Sequence, residues 1–89
     1  MKDVAMNYDD IIPRAQSLYA KRAQRAHDRN GISHPIISDR GWYVEEHDDD
    51  TYVTAYTTVQ PDPEPHHIAA QWRVGDARLI PIRTSVLIG

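Results

Sequence analysis

Two runs of alternating apolar and polar residues flank an acidic triplet. Trp42-Tyr43-Val44-Glu45-Glu46-His47 is followed by Asp48-Asp49-Asp50, and then by Thr51-Tyr52-Val53-Thr54-Ala55-Tyr56 and on to Gln60. Aromatic and β-branched runs around a polar tip predict a β-hairpin. With an even turn, of two or four residues, Val44 falls opposite Val53 and Trp42 opposite Ala55, so the apolar residues share one face. Tyr43, Glu45, Tyr52, Thr54 and Tyr56 then share the other. An odd turn would mix the faces, because a one-residue slip moves every side chain to the opposite side. The even turn is therefore expected, with a buried face and an outer face rich in tyrosine and acid.

Upstream, the period changes. At 100° per residue, Ile12, Ala15, Tyr19, Ala23 and Ala26 cluster on one side, which predicts a helix over about Ile11 to Arg29. Asp9 or Asp10 can cap its first amides, and Pro13 is tolerable in the first turn. Asn30-Gly31 ends it, since glycine accepts the left-handed conformation at a helix C-terminus. The alanine-rich stripe suits close packing on a sheet. Met1 to Tyr8 has no clear period and reads as a loose end or a short edge strand.

Between helix and hairpin, Ile32 to Ser38 is apolar but interrupted by Pro35, so it is an edge strand at best. Ser38-Asp39-Arg40-Gly41 is a turn. After the hairpin, Gln60-Pro-Asp-Pro-Glu-Pro65 favours an extended polyproline-like strut. His66 to Val74 alternates again, with Ile68, Ala70, Trp72 and Val74 on one face and His67, Ala69, Gln71 and Arg73 on the other. Gly75-Asp76 reads as a two-residue type II′ turn, which puts Trp72 opposite Leu79 and Arg73 opposite Arg78. Pro81 places the last strand at an edge or a break. The apolar run Val86-Leu87-Ile88 suits a further strand, a docked segment or a dimer edge. The expected architecture is α+β: one N-terminal helix on an antiparallel meander of four or five strands, in a single domain over residues 1–89.

Composition narrows the function classes. A chain of 89 residues makes one domain. The absence of cysteine excludes disulfides, thiolate metal sites and cysteine nucleophiles. The N-terminus lacks the apolar core of a signal peptide, and no apolar run approaches the ~20 residues that span a bilayer. A soluble, cytoplasmic protein with no membrane partner is expected.

The formal net charge of −3 is mild, but its layout is polarised. Arg14, Lys21, Arg22, Arg25 and Arg29 lie between Ile11 and Gly31, where Asp28 is the only acid. Glu45, Glu46, Asp48, Asp49, Asp50, Asp62 and Glu64 lie in a stretch without lysine or arginine. Such a layout speaks to partners, not to fold.

No catalytic constellation emerges. Ser17, Ser33, Ser38 and Ser85 sit in no elbow motif, and the glycines form no phosphate loop. His47 abuts three aspartates, which leaves a metal-assisted site around His47 as a remote alternative. His66 and His67, adjacent on a strand, would point to opposite faces and not share a metal. No enzyme activity and no cofactor are expected.

The leading expectation is a small non-enzymatic interaction protein. Its acidic hairpin (Glu45, Glu46, Asp48, Asp49, Asp50), with Tyr43, Tyr52 and Tyr56 as anchors, would bind a basic protein surface such as that of a nucleic-acid-binding protein. By size and charge alone this is analogous to phage and mobile-element inhibitors that mimic nucleic acid, anti-CRISPR proteins among them; no motif ties the chain to such a family. The alternative is a nucleic-acid-binding module that uses the basic face Arg14, Lys21, Arg22, Arg25 and Arg29. Against it stand the overall acidity and a pI of about 5.9.

Overall fold

The computed structural model describes residues 8–59 and 64–84. Helix α1 (Tyr8–Asn30) precedes four strands, β1 (Trp42–His47), β2 (Asp50–Tyr56), β3 (Ile68–Val74) and β4 (Leu79–Thr84). They form one antiparallel sheet in the order β1-β2-β3-β4, the expected α+β meander. Residues 1–7, residues 60–63 of the proline-rich stretch, and Val86-Leu87-Ile88 lie outside the described residues.

Helix α1 begins a turn earlier than the periodicity indicates. Asp9 and Asp10 therefore lie inside its first turn instead of preceding it, and Pro13 sits within the helix at the cost of one intrahelical hydrogen bond. The buried stripe is also rotated slightly from the expected one. Ile11, not Ile12, is fully buried, together with Ala15 and Tyr19, while Ile12 packs at the margin. Gly31 closes the helix with φ 68°, its amide donating to the His27 carbonyl. Residues 31–38 then run back along the helix without joining the sheet, so no edge strand forms there. The Pro35 carbonyl instead accepts the Tyr19 hydroxyl at 2.7 Å.

Ser38 caps a short 3₁₀ turn at Asp39–Gly41, accepting the Arg40 amide on its hydroxyl. Gly41 is buried there, and a Cβ on it would lie 2.7 Å from the Tyr56 carbonyl oxygen. Only a glycine lets the turn approach β2 so closely.

The hairpin has the even turn. Val44 pairs with Val53, Trp42 with Ala55 and His47 with Asp50. Asp48 and Asp49 alone form the loop, with φ of 52° and 69°, the signature of a type I′ turn. Asp50, read as part of the turn, is the first residue of β2.

Two bulges reset the rest of the sheet. One between Ala55 and Tyr56 sets Ile68 opposite Tyr56, which removes Ile68 from the face it was expected to share with Ala70 and Trp72. The other lies beside Trp72, which pairs with Pro81, a proline on an edge strand as anticipated. The β3–β4 connection is also longer than a two-residue turn. Val74 pairs with Leu79 and Arg73 with Ile80, while the Gly75 amide bonds to the Arg78 carbonyl. Arg73 and Arg78 are thus not opposed. The register differs from the expected one by two residues, so Leu79 still faces the core with Trp72. His66 and His67 belong to a 3₁₀ turn, Pro65–His67, and not to a strand.

The core lies between α1 and one face of the sheet. Ile11, Ala15 and Tyr19 meet Trp42, Val53, Ala55, Ala70, Trp72 and Leu79. Trp42 and Trp72 stack at 6.2 Å, and Tyr19 meets Trp42 edge-on at 5.8 Å. Each such aromatic pair adds about 0.5–1.5 kcal/mol beyond area burial.

The same contacts orient the helix. Arg14 donates to the Ala77 carbonyl at 3.3 Å, in the β3–β4 loop. Tyr52 pairs with Arg73, so this loop and the Asp48-Asp49 tip share one end of the sheet. Tyr19 packs on Trp42, at the opposite end of β1. Helix α1 therefore runs away from the acidic tip, and its arginine-rich second half lies at the far end.

Candidate functional site

The tip consists of Glu46, His47, Asp48, Asp49 and Asp50, all exposed. A ladder of six residue pairs holds it, from Trp42–Ala55 to His47–Asp50. Tyr52 adds a ring that lies 5.8 Å from the His47 imidazole. The turn chemistry is unusual. A type I′ turn needs positive φ at both central residues and favours Asn-Gly, Asp-Gly or Gly-Gly. Aspartate at both positions accepts backbone strain as well as repulsion between neighbouring carboxylates.

The outer face divides in two. Near the tip, Tyr52 is partly exposed, as is Tyr43 at the other end of β1. Farther along, Tyr56 is only 7 % exposed and Thr54 is fully buried. Here Glu45 serves the sheet. Its carboxylate accepts the Thr54 hydroxyl at 2.8 Å and the Tyr56 hydroxyl at 2.7 Å, and Gln71 donates to the Thr54 hydroxyl oxygen at 3.0 Å. Tyr43 covers Tyr56 edge-on at 5.3 Å. Burial raises the Tyr56 pKa, and the hydrogen bond and negative charge of Glu45 raise it further. Glu45 and Tyr56, expected on a binding surface, are thus committed to internal bonds. Glu46, Asp48, Asp49 and Asp50 are exposed and Tyr52 is partly exposed. Gln71 was not foreseen in this network; its pairing with Thr54 depends on the β2–β3 register, which no short turn determines.

The expected basic face is also divided. Arg14 is tied to Ala77. Lys21 is exposed outside the clefts beside the helix. Arg22, Arg25 and Arg29 line an open cleft of about 240 Å³ with Ala26, Asn30, Ile32 and His34. His34 was not singled out in the sequence, because nothing local marks its approach to the helix. Its ring meets Tyr19 edge-on at 5.8 Å, and both ring nitrogens are buried without a hydrogen-bond partner. Burial pushes the Tyr19 pKa up to about 12.

The other histidines sit apart. The His66 and His67 rings lie 4.1 Å apart, tilted by 54°, and His67 Nδ1 accepts the Glu64 amide at 3.2 Å. Among the described residues, no group of three or more His, Asp or Glu side chains is placed to hold a metal ion. No helix among them is long and apolar enough to cross a membrane. Comparison with known protein families, with curated proteins and with solved structures finds no match, so the candidate sites stand on their own geometry.

Proposed function

We propose that this chain is a small non-enzymatic interaction protein whose hairpin tip binds a basic surface of a partner protein. The observation that carries this reading is the Asp48-Asp49 turn. Both aspartates hold positive φ, where a glycine would relax the backbone and remove a charge. Strain kept at an exposed site motivates a functional hypothesis for that site.

The tip presents Asp48, Asp49 and Asp50 as a cluster of exposed carboxylates, with Tyr52 as the aromatic anchor beside them; Glu46 is exposed on the opposite face of β1. Such a cluster can enter a site built for phosphates, which makes a nucleic-acid-binding protein the natural partner class. The net charge of −3 keeps this mimicry local to the tip. Tyr56 takes no part, since its hydroxyl and ring are engaged within the sheet.

The test has two stages. Affinity capture with the intact chain identifies a partner, and association kinetics are then compared with an Asp48→Asn, Asp49→Asn, Asp50→Asn variant. Exposed charges act mainly on encounter rates, so the variant should associate more slowly and with a flatter salt dependence. Tyr52→Ala should instead speed dissociation. A variant without the three aspartates that associates as fast and binds as tightly as the parent would remove the tip from the interface.

A further inference from the structure

We infer that the second half of α1 and the segment doubling back along it form a binding site for a phosphate group, held by Arg22, Arg25 and Arg29 and completed by Asn30 and His34. This site lies at the opposite end of the molecule from the acidic tip and is independent of it.

The three arginines stand at i, i+3 and i+7, so their guanidinium groups project from one side of the helix. All three are exposed, and none makes an ion pair or side-chain hydrogen bond among the described residues. The one acid of this helical stretch, Asp28, is occupied elsewhere. It accepts the Gln24 amide at 2.9 Å and lies 3.7 Å from His27 Nδ1. Three like charges converge on one cleft, and no acidic side chain is among its described lining residues.

The second observation comes from the other wall. His34 lines the same cleft, and both of its ring nitrogens are buried without a partner. A buried N–H without an acceptor is costly, and a native structure rarely keeps one without a reason. An anion among the arginines would supply the missing acceptor after a small shift of the ring. Asn30 adds amide donors at the cleft edge, and Ile32 gives it an apolar wall.

Phosphate fits this donor set. Its charge of about −1.5 to −2 and its three terminal oxygens suit several planar guanidinium forks at once. The cleft, at about 240 Å³, admits the phosphate together with a group attached to it. Beyond His34 lies a second cleft of about 360 Å³ between α1 and residues 34–39, where Tyr19, Ala23, Ile36 and Trp42 offer apolar walls and Gln16 and Asp39 add polar ones. That is room for the organic part of a phosphate ester. The same chemistry is presented by a free phosphate ester and by the backbone of a nucleic acid.

The experiment titrates the intact chain, at constant ionic strength, with inorganic phosphate, pyrophosphate and a short single-stranded oligonucleotide. It reads the thermal midpoint and the NMR resonances of the His34 ring. At least one probe should raise the midpoint saturably and shift His34. Arg25→Gln and Arg29→Gln should each weaken that probe about tenfold, the scale of a lost charge-assisted hydrogen bond. Glutamine matches arginine as a helix former, and circular dichroism checks the fold. Arg25→Lys keeps the charge without the fork and should fall between parent and glutamine variant.

Arg14→Gln, Lys21→Gln and the triple aspartate variant should bind as the parent does. A response to the inorganic probes assigns the site to small phosphate ligands. A response to the oligonucleotide alone, with a salt dependence that weakens by about one unit per arginine removed, assigns it to a nucleic-acid backbone. No saturable response to any probe would overturn the inference. So would equal losses in Arg14→Gln and Lys21→Gln, which would reveal diffuse charge attraction, or a His34 ring that does not respond.

Discussion

Replacing Asp49 with glycine should make the protein more stable. Asp49 holds φ 69° at the second central position of the β1–β2 turn. An L-residue in the left-handed region costs about 1–2 kcal/mol, part of which aspartate recovers through local hydrogen bonding. Glycine removes that cost but loses about 0.5–1 kcal/mol through its freer unfolded state. With the relief of carboxylate repulsion added, the net gain is about 0.5–1 kcal/mol, or roughly 2–8 °C in midpoint for a domain of this size. Urea and thermal unfolding of parent, Asp49→Gly, Asp49→Asn and Asp49→Ala separate backbone from charge. Added salt screens the repulsion but leaves backbone strain untouched. The expected order of stability at high salt is Gly, then Asn, then Asp, with Ala lowest. Alanine stabilising as much as glycine would refute backbone strain and leave repulsion alone. On the proposed function, the glycine variant should also bind the tip's partner more slowly, because it lacks one of the exposed charges.

Four further outcomes are expected. Trp72→Ala should destabilise by about 3–5 kcal/mol in denaturant unfolding, because its ring is 1 % exposed and stacks on Trp42. Glu45→Ala should cost about 1–3 kcal/mol by leaving the Thr54 and Tyr56 hydroxyls without their acceptor, and Glu45→Gln should cost less. Gly41→Ala should destabilise by about 1–3 kcal/mol, since the new methyl would crowd the Tyr56 carbonyl oxygen at 2.7 Å, backbone that cannot swing aside, as well as the Ile37 side chain. Stability should fall at alkaline pH. The Tyr19 pKa rises from 10.0 unfolded to about 12 folded, so its contribution is complete below pH 10 and is lost as pH rises through about 12. Tyr56 shifts in the same direction. Melting curves across that range, with Tyr19→Phe for comparison, check the sign.

What the chain declares on its own is local or periodic. The hairpin follows from alternation and turn parity, and Val44 pairs with Val53 because the connection is short enough for the turn to set the register. The helix end at Gly31 follows from one residue's tolerance of positive φ. Tertiary structure decided the rest. Alternation has a period of two, so it cannot distinguish Trp72 opposite Leu79 from Trp72 opposite Pro81. Both put Trp72 and Leu79 on the core face, and the longer loop beside the bulge selects the second. Alternation also names the outer face without saying what covers it. Glu45 and Tyr43 close over Thr54 and Tyr56 from the neighbouring strand of the hairpin, but Gln71 joins them only because β3 arrives beside β2 through a long connection. The basic face was legible as charge, but its division was not. Arg14 is drawn to a loop 63 residues away, and His34 reaches Arg22, Arg25 and Arg29 only because the chain folds back along the helix after Gly31. Long-range pairings of this kind depend on the packed core, and no local pattern of hydrophobicity encodes them.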